Sequence, residues 1–79
     1  MRKIIKDMNY LELDEFLNQD IKLSEKQLIQ IRKHKNVDDV HFWGTYEKDG
    51  MIIEEYDVEI IKDNGNPYSS VDIFVKKEE

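Results

Sequence analysis

At Asn36 the spacing of apolar residues changes, and that change restricts the possible folds more than any other feature of the chain. Before it, apolar residues recur three and four apart, as on one side of a helix; after it they alternate, as on a strand. In "NYLELDEFLNQ" the helical set is Tyr10, Leu13, Phe16 and Leu17. Asn9 stands where a cap belongs, with Glu12 three residues on, the pattern of a capping box. In "LSEKQLIQIRKHKN" Ser24 is the cap and Gln27 its reciprocal partner, while Leu23 and Leu28 flank them as a hydrophobic staple. Leu28 and Ile31 mark the buried stripe, with Ile29 beside it. Arg32, Lys33 and Lys35 bring positive charge to the helix C-terminus, where it complements the dipole, and Asn36 is the expected stop. Met1–Asp7 reads equally well as the start of a strand or as a lead into the first helix.

Beyond Asn36, three runs alternate: Val40, Phe42, Gly44 and Tyr46 with His41, Trp43 and Thr45; Tyr56, Val58 and Ile60 with Glu55, Asp57 and Glu59; Val71, Ile73 and Val75 with Ser70, Asp72 and Phe74. Asp49–Gly50 joins the first two runs, and "DNGNP" joins the second and third. The expected fold class is α+β, with two N-terminal helices packed on a three-stranded antiparallel β-meander, in one domain covering residues 1–79. The expected core is Leu13, Leu17, Leu28, Ile31, Val40, Phe42, Tyr56, Val58, Ile60, Val71, Ile73 and Val75.

Register decides what the acids on the second strand do. A two-residue Asp-Gly turn would set Phe42 opposite Asp57 and Val40 opposite Glu59, mixing apolar and charged residues on one face. A three-residue loop, Asp49 to Met51, sets Phe42 opposite Val58, Val40 opposite Ile60 and Gly44 opposite Tyr56. That keeps one face apolar, the demand that usually fixes register. The outer face then carries His41, Trp43, Thr45 and Glu47 beside Glu55, Asp57 and Glu59.

Charge is distributed unevenly. The net charge is −6, but residues 1–35 hold six acids and eight bases, whereas residues 36–79 hold twelve acids and four bases. A surface built to hold a phosphate backbone needs the opposite sign, so direct nucleic-acid and anionic-membrane binding are not expected. There is no Cys, hence no disulfide and no thiolate metal site, which suits a cytoplasmic location. The basic start "MRKIIKDMNY" lacks the apolar run of a signal peptide, and no stretch is long enough to span a membrane.

Motifs that carry chemistry are missing. No Gly-rich phosphate loop and no Asp-x-Asp-x-Asp-Gly calcium loop is present; Ser24 reads as a cap, and His34 and His41 as a helix-end residue and a sheet-face residue. No catalytic residue, cofactor or metal site is expected. What remains is the row Glu55, Asp57 and Glu59, repeating at about 6.6–6.8 Å along a strand. It is either a solvated face that keeps the domain soluble or a docking surface for a basic partner. In the second reading Asp38, Asp39, Glu47 and Asp49 extend it, and Trp43 supplies an apolar anchor. The rival reading uses the basic helix end, Arg32 to Lys35, to touch phosphates.

The acid-dense run "VDDVHFWGTYEKDGMIIEEYDVE" and the segment "LELDEFLNQD" give the chain a likeness to a class of small acidic proteins. It resembles those that phages and mobile elements make against host machinery, some of which act as DNA mimics. The likeness is one of size and charge, without a shared motif. It implies an inhibitor that docks carboxylates on a basic, nucleic-acid-handling host protein in the host cytoplasm. The open edges of a three-stranded sheet add an expectation of homodimerisation.

Overall fold

Asn9 and Ser24 each close a capping box in the computed structural model, which describes residues 4–19 and 21–77. The Asn9 side chain accepts from the Glu12 backbone N–H at 2.8 Å while Glu12 accepts from the Asn9 N–H. Ser24 and Gln27 reciprocate in the same way. Helix α1 runs Tyr10–Leu17 and helix α2 Glu25–Arg32. Helix α2 ends before the expected stop: Lys33 caps it, and Asn36 lies beyond the helix. Of the N-terminal segment, Ile5–Asp7 forms one 3-10 turn that buries Ile5; Met1 to Lys3 lie outside the described residues.

The fold is α+β, but the sheet has four strands and is mixed. The strands are β1 Lys22–Leu23, β2 Val37–Lys48, β3 Met51–Ile61 and β4 Pro67–Lys76, in the order β1-β4-β3-β2. The meander β2-β3-β4 is antiparallel as expected; β1 adds to β4 in parallel and carries Leu23 into the core. Two residues are too short for any alternation to show, so the staple position of Leu23 concealed a strand.

The β2–β3 register is not the expected one: Phe42 pairs with Tyr56 and not Val58, Val40 with Val58 and not Ile60, and Gly44 with Glu55 and not Tyr56. Asp49 and Gly50 both take positive φ, 52° and 76°, and Lys48 pairs with Met51, so the turn is the two-residue type I′ form. The apolar face is restored by a bulge instead. Between Phe42 and Gly44 the register shifts by one at Trp43, setting Phe42 opposite Tyr56 and Val40 opposite Val58. A second shift at Asp38 brings Val37 opposite Ile60. The demand for one apolar face holds, but extra residues inside the strand meet it, and loop length does not.

Ten of the twelve expected core residues are buried, joined by Ile5 and Leu23. The other two lie on β2. Val40 is half-buried, and Phe42, expected in the core, is 56% exposed. The reason is coverage. Both helices pack over β3 and β4, with Leu13, Leu17, Leu28 and Ile31 meeting Val58, Ile60, Val71, Ile73 and Val75. Ser69 ties β4 to Asp14 of α1 at 2.6 Å, and the Tyr10 and Tyr68 rings meet edge to face. Edge strand β2 extends past this cover.

A buried polar knot closes the helix-to-strand junction. His34 Nε2 is 2.7 Å from the Met8 carbonyl, and Nδ1 accepts from the Asn36 N–H at 3.0 Å. With Nδ1 accepting, Nε2–H donates to Met8. The Asn36 amide donates to the Ile61 carbonyl and to Asp63.

Candidate functional site

The sheet face turned away from the helices is set by three aligned registers. Asp57 stands between His41 on β2 and Asp72 on β4; Glu59 lies between Asp39 and Ser70; Glu55 lies between Gly44 and Phe74. Alternation sends these residues to the side opposite Tyr56, Val58 and Ile60. The row Glu55, Asp57, Glu59 is therefore outward, as its pattern implied, and its members are half-buried among their neighbours. Asp39 and Asp72 widen it, giving five carboxylates on one face.

The remaining expected site residues are distributed differently. The bulge at Trp43 inverts the alternation of the distal half of β2. Gly44, Tyr46 and Lys48 face outward, while Thr45 and Glu47 pair with Glu54 and Ile52 on the helix side. Glu47 is thus separated from the acidic row, because a one-residue insertion exchanges the two faces of everything beyond it. Asp49 belongs to the hairpin turn. Asp38 and Trp43 occupy the two bulges; both are exposed, Trp43 at 67%.

The outward face has two unlike ends. Beyond Glu55 the acids give way to Tyr46, Ile53 and Phe74, ringed by Lys22, Lys48 and Lys76. Ile53 is only 4% exposed although it faces away from the helical core, and it shares this end of the face with Tyr46 and Phe74. A shallow groove runs here, lined by Ile21, Lys22, Tyr46, Lys48, Ile53 and Phe74. Its signal was partly legible: the alternation of Val71, Ile73 and Val75 already turns Asp72 and Phe74 outward. Tyr46 needed the bulge to be known.

Electrostatics join the two ends. The Tyr46 hydroxyl donates to the Glu55 carboxylate. That bond and the charges of Glu55 and Asp72 hold the phenol above its ordinary value of 10.0. His41 Nε2 lies 3.3 Å from Glu59 and 3.4 Å from Asp39. Asp57 and Asp72, directly opposed like charges, oppose folding.

On the helix side, Glu54 accepts the Tyr56 hydroxyl at 2.7 Å and lies 3.7 Å from Lys77, which also reaches Glu25 at 3.2 Å. Glu54 is thus tied into the fold and takes no part in the outer row. The basic helix end is likewise divided. His34 is buried, and the Arg32 guanidinium lies 5.4 Å over the Tyr56 ring, leaving Lys33 and Lys35 facing solvent on their own. Among the described residues no helix is long and apolar enough to cross a membrane. The chain matches no family model, no curated protein and no solved structure.

Proposed function

We propose that this chain is a non-enzymatic protein-binding module whose uncovered sheet face docks on a basic surface of a nucleic-acid-handling partner and blocks it, as a DNA mimic does. The observation that carries this reading is the placement of Asp39, Glu55, Asp57, Glu59 and Asp72 on one open face beside exposed Tyr46 and Phe74. Opposed carboxylates weaken a fold that is already small, and a basic partner relieves that repulsion on binding. The aromatic residues supply contact area, which steering charges lack. The alternative, phosphate binding by Arg32 to Lys35, has less to rest on, since His34 is buried and Arg32 lies against Tyr56.

The test compares the wild-type chain with a variant carrying Glu55→Lys, Asp57→Lys and Glu59→Lys, each used as bait in nuclease-treated host lysate. The wild type is expected to retain a basic protein that the folded triple variant does not, with retention falling as salt approaches screening strength. Equal retention by both would reduce the face to a solvated surface. A DNA or RNA gel shift that Lys33→Glu abolishes would favour the helix-end reading instead.

A further inference from the structure

One corner of the outward face holds three ligand atoms of the kinds that transition ions take. Asp39 and His41 are two apart on β2 and so share a side, and Glu59 is the cross-strand partner of Asp39. His41 Nε2 is 3.4 Å from Asp39 Oδ2 and 3.3 Å from Glu59 Oε2, and the three donor atoms lie within 4.8 Å of one another. We propose that Asp39, His41 and Glu59 bind one divalent transition ion of the zinc class.

Two observations separate this trio from a chance cluster of acids. The first is spacing. His41 Nε2 and Glu59 Oε2 make a long hydrogen bond at 3.3 Å, and both nitrogen–oxygen separations lie at the upper end of the hydrogen-bonding range. They match the edge of a tetrahedron around an ion bound at about 2.0–2.2 Å, which is about 3.3–3.6 Å. An octahedral magnesium site at about 2.0–2.1 Å needs donors roughly 2.9 Å apart. The second is composition and orientation. An imidazole among the donors selects zinc-like ions over calcium and magnesium, which take oxygen alone. The Asp39 carboxylate is also held in place, because its Oδ1 accepts from the Val40 N–H at 2.8 Å, leaving Oδ2 turned to His41. Such outer contacts aim a ligating carboxylate. All three residues reach solvent, with side-chain exposures of 56%, 51% and 43% for Asp39, His41 and Glu59, so an ion has a path in and a fourth position is left for water or a partner's donor.

The spacing that makes the site was invisible along the chain, because Glu59 is eighteen residues from His41 and meets it only through the hairpin. The bulge at Asp38 adjoins the site and fixes where the pairing of Asp39 with Glu59 ends.

The experiment titrates the full chain with zinc chloride by calorimetry in a non-chelating buffer, and separately with cobalt(II), whose visible absorption intensifies in tetrahedral coordination. Expected are one equivalent of zinc, a tetrahedral cobalt spectrum, and at least about tenfold weaker binding in His41→Ala. Glu59→Gln should weaken binding similarly while keeping the side chain's size, and it serves if His41→Ala alters the fold. Magnesium and calcium at the same concentrations should compete poorly. Zinc binding that neither variant weakens, an octahedral-type cobalt spectrum, or no measurable binding would each overturn the assignment.

Discussion

Phe42 stands directly opposite Tyr56 across the β2–β3 ladder, and the two rings meet edge to face with centroids 5.5 Å apart. Yet Tyr56 is 6% exposed and Phe42 56%. The pairing puts Phe42 on the apolar face, but the helices stop short of it. Its truncation therefore removes one aromatic contact and part of its buried area. Phe42→Ala is expected to cost about 1–1.5 kcal/mol, whereas Ile31→Ala, at a position with no exposure, should cost about 2–5 kcal/mol. Urea melts of both variants check the difference; equal losses would mean that Phe42 is covered.

The bulge makes an unusual deletion tolerable. A chain lacking Trp43 would run from Phe42 opposite Tyr56 straight to Gly44 opposite Glu55, with no shift between them. Deleting Trp43 is therefore expected to leave a cooperative fold with a melting temperature within a few degrees of wild type. Deleting Val58 should unfold the chain, since it moves the inward set of β3 to the outer face. Thermal melts by circular dichroism separate the two cases.

These elements show what sequence alone could convey. The helices were legible to their caps, because Asn9, Glu12, Ser24 and Gln27 act within one turn of chain. The outward turn of Glu55, Asp57 and Glu59 was legible because alternation is local. The position of Phe42 depends on how far two helices reach across a sheet, and the placement of Glu47 and Tyr46 depends on a bulge that leaves no composition signal at Trp43. The trio Asp39, His41 and Glu59 is a product of register alone.

The buried knot at the junction should be sensitive. His34→Ala leaves the Met8 carbonyl and the Asn36 N–H without their partner, in a site where water is largely excluded. An unsatisfied buried group costs about 1–3 kcal/mol, so His34→Ala is expected to destabilise by about 2–4 kcal/mol while His41→Ala, on the surface, changes stability by less than about 0.5 kcal/mol. Chemical denaturation of both reads the contrast.

Tyr56 should give the fold an alkaline limit. Burial first, then the hydrogen bond to Glu54 and its charge, raise the Tyr56 pKa above the ordinary 10.0; Arg32 acts the other way. A folded pKa above the unfolded one favours the neutral phenol in the native state. The contribution is complete below pH 10 and is lost as pH climbs through the raised value. Stability should thus fall above pH 10, and Tyr56→Phe should remove part of that fall. Phenolate absorbance against pH, compared between wild type and variant, would show Tyr56→Phe removing a component that ionises above pH 10; removal of a component that ionises at or below pH 10 would contradict this account.

Asp72 separates a solvated surface from a binding surface. It faces Asp57 across β3–β4, with Glu55 and Glu59 on the same side of β3. Asp72→Lys replaces a repulsive cross-strand pair with an attractive one, expected to raise stability by about 0.2–1 kcal/mol at low salt, with the gain shrinking as salt screens it. If the face only keeps the chain soluble, this variant is simply a better-folded protein. If the face docks on a basic partner, the same change places a positive charge inside the contact, where like charges slow association and suppress binding. The expected outcome is opposite movement of two measurements: a higher melting temperature and weaker retention of the captured partner. A variant that is more stable and binds as well as wild type would show that Asp72 lies outside the contact, confining any docking surface to β3 and β2.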